Sequence, residues 1–386
     1  MSDRFTVTTH ESWFSRMGSA FKGILVGILL LIAGVILLWW NEGRAVLTAE
    51  GLTEGAGLVI SVPADSIDPA NEGKLVHTSG EALTSDELID PNFSYMRVKA
   101  LLLRRSVEMY QWRENKQSKE VTEVGGGKKT ETTYSYDKVW SSTLNSSSNF
   151  YERSGHENPS AMPYGALTLT ARDAKLGAFH LPQGMLGGLD AAQPLGAPDS
   201  APVSGKQKIV NGQIYMGDNP DTPAVGDIRI SYAYAPEQEI TVVAGQRGGS
   251  FTAFPVKNGQ RNIQMLRPGL HDAAYMFNAA LEENSMLTSL LRAGGLIALF
   301  IGFNLFLRPL AVFGDVLPLL GSVLSAGIGI IALCLALFCG LLVIGAAWFF
   351  YRPLLGGLLL FGAVAVLLGI RRLAKRAKTA QPAGGA

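Results

Sequence analysis

The chain has 386 residues, 47% of them hydrophobic and 17% charged, with a formal net charge of +1 and two cysteines. That balance excludes a nucleic-acid footprint, and the distribution of the charges excludes an ordinary water-soluble protein. Residues 23–40, 293–307, 316–351 and 353–370 carry no charge at all, and in water such runs would leave large apolar faces exposed.

In chain order, residues 1–22 read as a cytoplasmic N-terminal segment and 23–40 (GILVGILLLIAGVILLWW) as a first membrane span. A helix of roughly 20 apolar residues matches the ~30 Å hydrocarbon core of a bilayer. Trp39 and Trp40 then fall where indole rings favour the interface. The run is long, and no small-x-small cleavage site follows it, so it is expected to stay as an anchor rather than leave as a signal peptide. The next residues, Asn41-Glu42-Gly43-Arg44, read as a helix exit. Asn41 and Gly43 suit a left-handed C-terminal cap, and Arg44 suits the negative end of the helix dipole. In the sharper alternative, Glu42 and Arg44 pair across a subunit or with the helix at 272–286.

Residues 41–287 read as a large extracytoplasmic or lumenal domain. It holds 22 Lys and Arg against 29 Asp and Glu, a net of −7, and no cysteine, so disulfides are excluded inside it. Residues 56–62, 73–79, 95–112, 164–172, 207–216, 226–234 and 239–245 are rich in branched and aromatic residues and separated by turn formers, which predicts strands. A hairpin joins 107–114 to 133–140 across Gly125-Gly126-Gly127, with Tyr134, Tyr136 and Trp140 on one face. That face serves either a partner or, at about two to one, the domain's own core. Residues 183–206, rich in Gly, Ala and Pro, read as a surface loop. From Asp272, a plausible N-cap, a helix leads without a breaker into the second span at 288–307.

Arg308-Pro309 is expected to end that span, and 308–321 to form an interfacial or re-entrant segment. A third span at 322–349, a fourth at 354–370 and a basic cytoplasmic tail at 371–386 complete the plan. The fold class is thus a multi-pass α-helical membrane protein of four spans, with a β-rich domain between the first and second. Lys and Arg counts beside the spans, nine against three, place both termini in the cytoplasm. Gly23 and Gly27 make a G-x-x-x-G pair, and Ser322 and Ala326 offer another small-residue face for helix packing. Asn304 is the main polar residue inside a span, expected to hydrogen-bond a neighbouring helix.

Chemistry is scarce. The five histidines are scattered, and no zinc, phosphate-loop, redox or nucleophile motif occurs. Gly125-Gly126-Gly127-Lys128-Lys129 has the composition of a phosphate cradle without its spacing, and Asp86-Glu87 and Glu282-Glu283 read as solvated charges. No catalytic, cofactor-binding or metal-binding residue is assigned.

WNEGRA (40–45), NEGKLVH (71–77), LLRRSVEMYQWRE (102–114), TYSYDKVWS (133–141), VGDIRISY (225–232) and FLRPL (306–310), in that order, resemble the transmembrane protein 43 family, also called LUMA. The resemblance runs from about Trp13 to Arg372. It implies one N-terminal span, a lumenal domain, three C-terminal spans, and a non-enzymatic membrane organiser that self-associates. Eukaryotic members reside in the endoplasmic reticulum and inner nuclear membrane and bind emerin and lamins. The Gly- and Ala-rich composition and short basic tail point to a bacterial member in the inner membrane with a periplasmic domain, where those partners would be absent. The expected partners are therefore the lipid bilayer, further copies of the chain and other membrane proteins, with no nucleic acid. The leading reading is a homo-oligomeric scaffold. A pore or transport accessory is the alternative, and an envelope lipid or glycan hydrolase, needing His77, His156 or His180 beside a carboxylate in one cleft, is the weaker third.

Overall fold

A computed structural model describes residues 4–202, 205–257, 262–316 and 318–352, with side chains undescribed over 318–322. The expected fourth span at 354–370 and the tail at 371–386 lie outside the described residues.

Strand β1 (Arg4–Glu11) leads into helix α1 (Trp13–Leu58), which is followed by β2 (Ile60–Ser61), β3 (Leu75–Thr84), β4 (Glu87–Ile89) and β5 (Arg97–Lys99). The long pair β6 (Leu102–Thr122) and β7 (Lys128–Ser141) comes next, then β8 (Leu167–Thr170), β9 (Ala174–Leu176), β10 (Phe179–Leu181), the short helix α2 (Gln183–Leu186) and β11 (Gln193–Leu195). Strands β12 (Gln207–Val210), β13 (Gln213–Met216), β14 (Ile228–Ala235), β15 (Gln238–Arg247), β16 (Ser250–Thr252) and β17 (Met265–Pro268) precede two long helices, α3 (Ala273–Gly314) and α4 (Pro318–Tyr351). The chain divides into two compact units, one of residues 1–10, 51–121 and 129–280, the other of 11–50, 122–128 and 281–386.

The first unit is the β-rich domain. Among the described residues, one sheet runs β1-β7-β6-β14-β13-β12, with β8 on β6 and β11 on β14; a second runs β17-β15-β16-β10-β9-β3-β2. Alternation along β6 and β14 sends Leu103, Val107, Met109, Ile228 and Ile230 into one core with Phe93 and Met96. A second core gathers Val76, Leu176, Phe179, Leu181, Ile240, Val242 and Phe251. Within the first core lies an ion pair: both Asp90 oxygens accept from Arg105 Nη1 (2.9 and 2.8 Å), and the Tyr232 hydroxyl donates to Asp90 at 2.9 Å. Burial, and then the bond to the Asp90 carboxylate, push the Tyr232 phenol well above its ordinary range. A buried charge is tolerated only with such partners.

Several boundaries differ from the sequence reading. The expected strand at 207–216 is a hairpin, because Asn211 (φ 50°) and Gly212 (φ 74°) form the left-handed pair that turns β12 into β13. Residues 56–58, expected as strand, end α1. Residues 4–11, expected in a cytoplasmic segment, form an edge strand on β7, with Thr6 and Thr133 hydroxyls 3.2 Å apart. The described residues of the 183–206 stretch contain α2 and β11.

The second unit centres on three helices long and apolar enough to cross a membrane: Trp13–Leu58, Ala273–Gly314 and Val323–Tyr351. Glycines bring the backbones of α1 and α3 close, with Leu31 and Leu38 packed over Gly302 and Gly295 and Leu299 over Gly34. A Cβ on Gly27 would lie 2.8 Å from the Gly302 carbonyl, and one on Gly34 would lie 3.2 Å from the Gly295 carbonyl. Leu38, Leu299 and Ala336 form the small core beside this seam. Helix α3 does not stop at Arg308-Pro309. It carries Pro309 internally and ends at Gly314, where Trp13 Nε1 donates to the Val312 carbonyl at 2.9 Å and Arg16 pairs with Asp315. Those bonds hold the last turns in place although Pro309 offers no N–H to the preceding turn.

Candidate functional site

The polar residues at 41–44 sit inside α1, which continues through them to Leu58. They do not cap a helix end; their polar groups find partners on α3 and α4. Helical spacing explains the match. Asn284, Thr288 and Arg292, at i, i+4 and i+8, share one side of α3, and α1 runs antiparallel to it.

Asn41 and Glu42 are 0% and 1% exposed. The Asn41 amide donates to the Thr288 carbonyl at 3.0 Å. Arg44 donates to Asn284 Oδ1 (2.8 Å), Thr288 Oγ1 (2.9 Å) and Asn41 Oδ1 (3.2 Å). In return, Asn284 Nδ2 donates to the Ala45 carbonyl at 2.9 Å. One turn on, Arg292 grips Glu42 with two parallel bonds, Nε to Oε1 at 2.6 Å and Nη2 to Oε2 at 2.7 Å. This fork-on-fork geometry is the strong form of the pair. The Trp348 indole N–H of α4 adds a third bond to Oε2 at 2.7 Å, and the Arg292 guanidinium lies 5.8 Å from the Trp348 ring centre.

Gly43 is required for close approach, not for a turn. A Cβ there would lie 2.6 Å from Tyr351 Cζ, so the missing side chain admits that ring. Trp39 packs against Phe350 and Tyr351, with ring centres 5.8 and 6.0 Å away. Trp40 points outward, 54% exposed, as an interfacial indole does.

The other expected packing residues divide. Gly27 lies in the α1–α3 seam, while Gly23 makes only an ordinary contact, its Cβ position 3.9 Å from Leu305. Asn304 donates to the Phe300 carbonyl of its own helix at 3.0 Å rather than to a neighbour. Ala326 is exposed, and the Ser322 side chain is outside the described residues. The sharper alternative named the helix at 272–286, and Arg44 does pair with its Asn284, whereas Thr288, Arg292 and Trp348 as partners and Gly34, Gly295 and Gly302 as seam residues were missed. The signals were present: polar residues every fourth position on α3, and glycines seven apart on both helices.

The node joins three helices but offers nothing reactive. Both Glu42 oxygens are occupied by fixed donors, so the carboxylate is not placed to take a proton from a substrate. In the β-rich domain, His77, His156 and His180 each meet a main-chain carbonyl, of His271 (2.9 Å), Glu152 (3.1 Å) and Arg172 (3.0 Å) respectively. Tyr136 is buried, its ring 3.9 Å from His156, and Tyr134 stacks on Tyr151 at 4.5 Å. Trp140 packs on Tyr110 and Tyr215. The aromatic face of β7 is thus packed on its own domain.

Comparison with known proteins gives a consistent relationship. The family model described as Transmembrane protein 43 matches residues 109–353. The chain is similar to Transmembrane protein 43 of Rattus norvegicus, 37% identical over 92% of this chain and 91% of the relative. It is also similar to that of Homo sapiens, 36% identical over 96% and 94%. The Transmembrane protein 43 homolog of Drosophila melanogaster is 29% identical over 88% and 92%. No solved structure matches.

Proposed function

Because the chain belongs to the transmembrane protein 43 family, we propose that it is a non-enzymatic membrane scaffold that self-associates and arranges lipids or other membrane proteins around it. The observation that carries this is the contrast between the two surfaces of the helical unit. Its inward polar groups are engaged with one another, Glu42 with Arg292 and Trp348, Arg44 with Asn284 and Thr288. Its outward surface is apolar, with Leu25, Leu29, Ile32 and Ile36 of α1 and Leu290, Ile297 and Ile301 of α3 exposed. A unit built this way anchors and associates; it does not turn over substrate. The Gly- and Ala-rich composition supports a bacterial inner membrane as its site.

The test is the size of the particle in native-lipid nanodiscs, read by mass photometry over a range of protein concentrations. A discrete oligomer that persists on dilution is expected. A strictly monomeric particle throughout overturns the proposal.

A further inference from the structure

Strand β2 is two residues long and carries an exposed hydroxyl, Ser61. Its parallel register with β3 sets Ser61 beside His77, so the two side chains leave the same face of the sheet. Ser61 Oγ lies 3.1 Å from His77 Nδ1, and His77 Nε2 lies 2.9 Å from the His271 carbonyl. A carbonyl only accepts, so the proton of the neutral ring sits on Nε2 and leaves Nδ1 to accept from the Ser61 hydroxyl. The carbonyl is itself held: the Ser79 hydroxyl donates to it at 3.2 Å, and the His271 N–H donates to Thr241 Oγ1 at 2.9 Å. His77 is 9% exposed, whereas Ser61 is open to solvent.

A hydroxyl, a base within hydrogen-bond reach and a group that orients the base are the parts of an activated nucleophile. The edge of the sheet adds a donor. The Val62 N–H bonds the His77 carbonyl at 2.9 Å, and N–H groups alternate sides along a strand, so the Ser61 N–H points away from β3. Among the described residues β2 pairs with β3 alone. That N–H can therefore donate to an oxyanion formed on a carbon attached to Ser61 Oγ. The surroundings are apolar: Leu58 and Ile60 lead into Ser61, Leu270 and Tyr275 flank His271, and all four are exposed. The Tyr275 ring stacks on that of His271, with centres 4.1 Å apart.

We infer that Ser61 is an acyl acceptor, with His77 as its general base and an ester of an aliphatic carboxylic acid as the donor. The Ser61 oxygen bonds the ester carbonyl carbon as its proton passes to His77 Nδ1. The bond from that carbon to the alkoxy oxygen then breaks, and the alkoxide takes the proton and leaves as the alcohol. The acyl group ends as an ester on the chain, so the chain is modified and turns nothing over. This goes beyond the scaffold reading and does not rest on it.

The full chain in nanodiscs is incubated with p-nitrophenyl octanoate; released p-nitrophenol is followed by absorbance, and the acylated residue is located by peptide mass spectrometry. A burst of about one equivalent, with the octanoyl group on Ser61, is expected. Ser61→Ala should abolish the burst, and His77→Gln should slow it by about 100-fold or more. Heat-denatured chain keeps Ser61 but parts it from His77, and should show no burst; this control and Ser61→Ala, at an exposed edge position, carry the test if His77→Gln does not fold. Ser61 left unacylated overturns the inference. So does a burst that survives Ser61→Ala, or acylation of Ser61 that is as fast in the denatured chain or in folded His77→Gln.

Discussion

Replacing Glu42 with glutamine tests the polar node most directly. The shape is kept, but one acceptor oxygen becomes an amide donor facing Arg292 or Trp348, which only donate. Glu42 is 2% exposed at its side chain and Arg292 32%. Breaking a fully buried pair costs about 3–5 kcal/mol and an exposed one under about 1 kcal/mol, so this half-buried pair should lie near 2–3 kcal/mol, roughly a 30- to 150-fold shift in the folding equilibrium. The assay is reversible unfolding of the full chain in bicelles, as a double-mutant cycle with Arg292→Met. Glu42→Gln alone should cost the full amount, and adding Arg292→Met should return part of it by removing the orphaned charge. If the two substitutions add within about 0.5 kcal/mol, the pair is not coupled and the account of the node is wrong.

Gly43→Ala should destabilise the helical unit by about 1–3 kcal/mol through the clash with Tyr351, and Tyr351→Ala in the same chain should recover most of that in the same unfolding assay. In the β-rich domain, Asp90→Ala leaves Arg105 charged in a core and strips the Tyr232 hydroxyl of its acceptor, for a loss of about 3–5 kcal/mol seen by thermal denaturation; an unchanged melting curve would contradict the burial of that pair. Burial, and then its hydrogen bond to Glu114, push the Tyr136 phenol from 10.0 up to about 12. Because the folded value is raised, its stabilisation is complete below pH 10 and disappears as the pH climbs through 12. Phenolate absorbance should show several late-titrating tyrosines, Tyr215 and Tyr232 among them, and Tyr136→Phe should remove the component near pH 12, with alkaline unfolding of that variant losing that contribution to the pH dependence.

The strands were legible in the sequence: β14 reads from alternation with one face buried, and β15, buried on both faces over residues 240–246, from a continuous apolar and branched run. The sequence was less legible where a local signal and a distant partner compete. Asn41, Gly43 and Arg44 look like a helix terminus because their polar groups need partners, and nothing nearby supplies them. The partners are Asn284, Thr288 and Arg292, some 240 to 250 residues away, and their presence lets α1 run on. Pro309 misled in the same manner, since the bonds from Trp13 and Arg16 hold the end of α3. The Asn211-Gly212 turn was readable and was overlooked inside a run of branched residues. The seam glycines were half-visible. A four-residue spacing drew attention to Gly23 and Gly27, whereas the contacts use the seven-residue spacing of Gly27 with Gly34 and of Gly295 with Gly302.

That seven-residue repeat has a mechanical consequence. Leu31 and Leu38 of α1, also seven apart, sit over Gly302 and Gly295, and a slip of one repeat, about 10 Å along the axis, would still bring one of these leucines over a glycine. Such a slip would carry Asn41 away from Thr288 and Glu42 away from Arg292 by the same distance. The glycines therefore set how near the two helices come, while the polar node acts as the ruler that selects one alignment among those the glycines allow.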